Sequence, residues 1–194
     1  MPDTVAGRAA TEVARTYLTP ALLNHSVRSY LWGAVHASSL GLDFDAELLH
    51  VAALLHDVGL VRTFDSHVTA FEETGGHLAW VFATGLGWAP RRRDRLREVI
   101  VAHMADAVDP GRDPEGYLLE LGTSIDISGR SVDAVGTLTR RDVLRRHPRL
   151  GIGAEFAALA LAQADRKPSS ACARAVRGGL TMRAVSNPLD RPAA

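Results

Sequence analysis

The chain has 194 residues, of which 46% are hydrophobic and 23% charged, and its 22 basic side chains are matched by 22 acidic ones. That length supplies one sizeable core, so a single domain over 1–194 is expected, with a motif-bearing part at about 21–147 and C-terminal helices at 153–184. A formal charge of zero provides no field to recruit nucleic acid or an anionic membrane, so substrate and partners must be argued from a site.

Cys172 is the only cysteine and cannot form an internal disulfide, which suits a reducing cytoplasm. The N-terminus Met1-Pro-Asp-Thr lacks the basic and apolar regions of a leader, and no apolar run reaches bilayer length, so a soluble, cytoplasmic protein is expected. Lys167 is the only lysine among many arginines, a bias without mechanistic content.

Apolar residues recur at helical spacing and no run alternates as a strand would, so the fold class is all-α, a compact helical bundle. In chain order the spacing predicts helices over 4–18, 21–40, 46–57, 70–85, 90–105, 114–126, 139–147, 153–164 and 169–184. Gly41 and Gly59 stand where helices should stop, Pro90 suits a first turn, and Asp113-Pro114 reads as a cap followed by proline. Residues 187–194 read as a frayed tail. The apolar segments 153–164 and 169–184 are free to pack on the core or to form a homodimer interface.

The third helix carries the most informative feature. Glu47-Leu-Leu-His-Val-Ala-Ala-Leu-Leu-His-Asp-Val-Gly59 is apolar almost throughout and ends in His56-Asp57. An imidazole and a carboxylate there are costly to desolvate unless something needs them, and a divalent metal is the usual need.

Helix geometry sorts the eight histidines. His50 and His56 sit about 120° apart around a helix and cannot face one site, which makes His50 a surface residue. His25 and His36 share the face through Leu22, Ser29 and Trp32 but lie about 16 Å apart along the axis, so one of them at most reaches a given metal. His25 is favoured, because Arg28 one turn away adds a polar patch to an apolar stripe. His103 follows Leu96, Val99 and Ile100 on an inward face, as ligand, substrate contact or satisfied core histidine. His77 follows Gly75-Gly76, which would admit a close neighbour, and stands between a site role and a helix surface. His67 and His147 read as exposed.

The ordered pieces Asn24-His-Ser-Val-Arg-Ser-Tyr30, Leu54-Leu-His-Asp-Val-Gly59, Phe71-Glu-Glu-Thr-Gly-Gly76 and Ile125-Asp126 resemble the HD-domain superfamily of metal-dependent hydrolases. They are most similar to the branch that includes the fungal cyanamide hydratases. The resemblance covers about 25–129, with weaker echoes in His147-Pro148-Arg149 and Arg166-Lys167-Pro168. It implies an HD-type fold with His25, His56, Asp57 and Asp126 as metal ligands. Gly75-Gly76-His77 departs from the glycine-alanine expected there. Some relatives use extra histidines for a second metal, and His77 and His103 lie in the corresponding stretch.

Such a site implies one divalent transition metal, zinc, iron or manganese, with a second left open. The metal can lower the pKa of a coordinated water from about 15.7 to about 7, making hydroxide available at neutral pH to attack carbon or phosphorus. Asp57 is the expected proton acceptor, with His103 and His77 as catalytic groups acting on the substrate. Arg28 and Glu72 are candidate substrate contacts, although Arg28 more simply reads as the partner of a nearby acid.

Glu72, Glu73 and two aspartates flank the site, and the run Arg91–Arg97 lies opposite His103. A small neutral nitrile, cyanamide or amide-like substrate is therefore expected over a nucleotide. The alternatives are an HD phosphohydrolase and a non-enzymatic helical binding module.

Overall fold

The computed structural model describes residues 1–191 and is helical, with no strand among them. Ten α-helices follow in order: α1 Val5–Tyr17, α2 Pro20–Leu40, α3 Ala46–Leu55, α4 Phe71–Gly85, α5 Pro90–Ala102, α6 Pro114–Ser128, α7 Thr137–Arg146, α8 Ile152–Arg166, α9 Ala171–Arg177 and α10 Leu180–Val185. Side-chain caps start several of them. Thr4, Thr19, Asp45, Asp113 and Ser170 each accept a hydrogen bond from a backbone N–H within the first turn of their helix. Gly41 and Gly129 end α2 and α6 in the left-handed conformation.

The central element is α3, buried from Leu48 through Leu55 and touching α1, α2, α4, α5 and α6. A helix apolar on every side has no solvent face, so its last residues point into the interior. Burying each of Leu49, Leu54 and Leu55 contributes about 1.5–3 kcal/mol, which fixes the position of whatever follows them. His50 is drawn inside with its helix. It is 4% exposed, against the expected surface position, and stacks edge-on against Tyr30 at 4.8 Å.

The structure ends two of the helices that bear the site earlier than expected. α3 stops at Leu55, and Asp57 takes φ −98°, ψ 3° before a 3-10 turn over Val58–Leu60. That sparsely populated conformation swings the carboxylate out of the helical path. α5 stops at Ala102, with His103 as its cap.

Close crossings hold the turn in place. A Cβ on Gly75 of α4 would lie 2.8 Å from the His56 carbonyl oxygen, and one on Gly122 of α6 only 2.2 Å from that of Ser29 in α2. The backbones meet there because the side chains are absent.

The segment expected as one helix over 169–184 is two, α9 and α10, broken at Gly178-Gly179, where Gly179 has φ +84°. The break folds α10 back against α8 and α6. Residues 187–191, expected to fray, are docked instead. Asn187 is buried and its Nδ2 donates to the carbonyls of Ile125, Asp126 and Ile127, while Asp190 pairs with Arg149. The remainder of the expected tail, 192–194, lies outside the described residues. No helix among the described residues is long and apolar enough to cross a membrane.

Candidate metal centre

His25 from α2 and His56-Asp57 from the end of α3 meet in the interior as the one group of three metal-binding side chains among the described residues. The Nε2 atoms of the two histidines are 3.2 Å apart, and Asp57 Oδ2 lies 3.5 Å from His25 Nε2 and 3.3 Å from His56 Nε2. Three ligands each about 2.1 Å from a tetrahedral ion stand about 3.4 Å from one another. The triangle therefore has the size that a divalent ion requires.

Tautomers point the same way. His56 Nδ1 donates to the Ala53 carbonyl at 2.7 Å, and His25 Nδ1 donates to Asp126 Oδ2 at 2.8 Å. In the neutral rings both Nε2 lone pairs then face each other and a carboxylate with no hydrogen-bond partner on either oxygen. Buried lone pairs converging without a donor are an arrangement that could hold a metal ion.

Electrostatics agree. Burial lowers the pKa of His56, but the adjacent Asp57 carboxylate more than offsets it and the net shift is upward. Burial raises that of Asp57, yet the imidazole of His56 holds it at about 2. The Asp57 carboxylate is thus ionised at the centre of the cluster, while burial lowers the pKa of His25.

Asp126, the fourth ligand implied by the resemblance, stands behind His25 instead of beside Asp57. Its oxygens are already engaged: Oδ1 accepts from Arg28 Nε at 2.7 Å and Trp32 Nε1 at 2.9 Å, and Oδ2 from Arg28 Nη2 at 2.7 Å and His25 Nδ1. His25, Arg28 and Trp32 lie three and four residues apart on one face of α2, so all three reach the same carboxylate on α6. Burial raises the Asp126 pKa and the Arg28 guanidinium overcomes it, leaving the carboxyl well below its ordinary range. Asp126 thereby fixes the ring of His25.

Arg28 is likewise not at the substrate. It is fully buried, and its Nη1 donates to the carbonyls of His147 and Pro148 at 3.0 Å each. His77 is exposed on α4 and absent from the cavity lining, because Gly75 and Gly76 serve to press α4 onto the His-Asp turn and onto α5. Glu72 is buried but also outside the lining. Its Oε2 has no partner, and burial raises its pKa.

His36 bonds the Tyr117 hydroxyl at 3.0 Å, His67 is exposed, and His147 is half-buried where exposure was expected.

His103 lies 4.8 Å from His56, ring to ring and nearly perpendicular. Its Nδ1 donates to the Ile100 carbonyl, leaving Nε2 as the free nitrogen, and burial lowers its pKa to about 3. It is a neutral base beside the metal triangle.

These four residues form part of the lining of a cavity of about 600 Å³. Phe156 of α8 and Ile127 of α6 add apolar walls, and Thr123 and Ser124 add hydroxyls. Arg174 and Arg183, from α9 and α10, line the same cavity. Sequence reading missed these two arginines and Arg149, whose Nη1 donates to the Asp126 backbone carbonyl. The weak signal at 147–149 pointed to Arg149, whereas nothing in the sequence before the Gly178-Gly179 break marked the other two.

The HD domain family model matches residues 22–111, which include His25, His56, Asp57 and His103 and end before Asp126. Two proteins of Saccharomyces cerevisiae, cyanamide hydratase DDI2 and cyanamide hydratase DDI3, are each 30% identical to the chain over 176 residues, covering 86% of this chain and 76% of the relative.

Proposed function

Because this chain belongs to the HD-domain family of metal-dependent enzymes, in its cyanamide hydratase-like branch, we propose that it adds water to an unsaturated or acyl carbon of a small nitrile-, cyanamide- or amide-like molecule. The carrying observation is the triangle of His25 Nε2, His56 Nε2 and Asp57 Oδ2 at the floor of the cavity. Three protein ligands leave a tetrahedral ion with one open position, the arrangement of catalytic sites. The donor set suits zinc, iron or manganese. Such an ion, when bound, supplies Lewis acidity and makes water a stronger acid.

The side chains divide the remaining work. Adding water across a C≡N bond puts oxygen on carbon and hydrogen on nitrogen. The Asp57 oxygen not used as a ligand is the acceptor for the water's proton. His103, neutral with Nε2 free, takes that proton from Asp57 and passes it to the substrate nitrogen, so that both oxygen and hydrogen come from the one water. Phe156 and Ile127 keep bulk water from the reacting atoms. His25 holds its ring angle through the Asp126 carboxylate, which Arg28 and Trp32 clamp in turn.

One cluster of ligands among the described residues favours a single metal, and with it addition to carbon over the two-metal displacement that many phosphoesterases use. A parallel assay on the metal-loaded protein checks this. Urea forming from cyanamide, with no phosphate released from a nucleotide panel, is the expected result. Phosphate release without urea would replace the reading with a phosphohydrolase.

A further inference from the structure

We infer that the substrate is a small anion, whose carboxylate or phosphate end is held by Arg174 and Arg183 in the cavity they share with the metal triangle. The inference rests on the function proposed above in placing the reactive end at His25, His56 and Asp57.

Both arginines line the cavity and both are exposed. Each is steadied by one backbone carbonyl: Arg174 Nη1 donates to Ser169 at 3.3 Å and Arg183 Nη1 to Gly178 at 2.7 Å. Neither forms an ion pair with a carboxylate among the described residues. The third arginine of the lining, Arg130, differs, because it is paired with Glu120 and also bonds Ser124. Two guanidinium forks in one cavity, steadied but without counter-ions, are suited to an oxyanion.

Charge and size support this. The lining contains Arg130, Arg174 and Arg183 against Asp57, Asp106 and Glu120, so protein charges cancel and a bound divalent ion leaves the loaded cavity with about two positive charges. A molecule as small as cyanamide would fill a minor part of about 600 Å³. The acids Glu72 and Glu73, which argued for a neutral substrate, do not line the cavity.

The test titrates the metal-loaded full chain calorimetrically with three nitriles of similar size: acetonitrile, cyanoacetate and cyanomethylphosphonate. At least one anion is expected to bind ten- to hundredfold more tightly than acetonitrile, and to weaken as salt rises. Whichever binds more tightly identifies the end group as carboxylate or phosphate. Arg174→Gln combined with Arg183→Gln is expected to bring the anion down to the acetonitrile level at unchanged metal stoichiometry.

Equal binding of all three nitriles, or an anion preference that survives the double substitution, would overturn the inference. If the wild type takes up no metal, the proposed function fails by itself. The arginines are then judged on the metal-free protein, where loss of anion binding in the double variant supports them and no change overturns them.

Discussion

Replacing Asp126 by Asn separates a residue that positions His25 from one that binds metal itself. Asp126 and Arg28 are both fully buried and joined by two bonds of 2.7 Å. Asn cannot balance the guanidinium, and removing one member of a buried pair costs about 3–5 kcal/mol because the other charge is left uncompensated. With a urea m-value of about 3 kcal/mol/M, the unfolding midpoint should fall by about 1–1.7 M. Metal affinity should fall about 10–100-fold, the usual cost of losing the group that orients a ligating histidine. Urea unfolding followed by circular dichroism gives the first number and competition with a chromophoric chelator gives the second.

A second variant, Arg28→Met with Asp126→Leu, removes both charges. It should recover most of the lost stability while metal binding stays weak. The reasoning is refuted if Asp126→Asn shifts neither quantity, or if the double variant is as unstable as the two single ones summed. Complete loss of metal at unchanged stability would make Asp126 a direct ligand, contrary to its position behind His25.

Three further expectations follow from other parts of the molecule. Gly75→Ala places a methyl group 2.8 Å from the His56 carbonyl and should cost about 1–3 kcal/mol in urea unfolding, whereas Gly85→Ala, with nothing within 4 Å, should be neutral or stabilising. His50, lowered to about 4 by burial and then by the N-terminal ammonium, is neutral when folded. The unfolded chain takes up its proton below about pH 6.5, so stability should decline from pH 6.5 to 4 by up to about 3 kcal/mol. His50→Asn should flatten that part of the pH profile. His77→Ala, on an exposed face, should leave metal stoichiometry unchanged and stability within about 0.5 kcal/mol. A lost equivalent of metal would assign His77 to the site.

The parts of the account that were legible in the sequence are those governed by local pattern. The helical periods and the caps at Asp113 and Gly41 follow from apolar spacing and turn residues, whereas the joining of His25 with His56-Asp57 came from the resemblance to the HD-domain superfamily. The branch was also legible, because its motifs are short and ordered. What escaped reading depends on tertiary placement. Helical geometry put His50 about 120° away from His56, but only packing on α1 and α2 shows that His50 does not reach solvent. Asp126 entered as a ligand implied by the resemblance, yet which atoms it meets depends on the side-chain reach of Arg28 and Trp32. Arg183 of α10 lies beyond Gly178-Gly179, which interrupts an otherwise helical period. A glycine pair in such a run signals a break without giving its direction.

The central claim is that His25, His56 and Asp57 hold one divalent ion. Titrating the chelator-stripped full chain with zinc, manganese and iron(II), beside the His56→Ala and Asp57→Ala variants, tests it most directly. The account predicts one tightly bound ion per chain in the wild type and none at the same concentrations in either variant. Wild type that binds no ion, or variants that bind it undiminished, would contradict it.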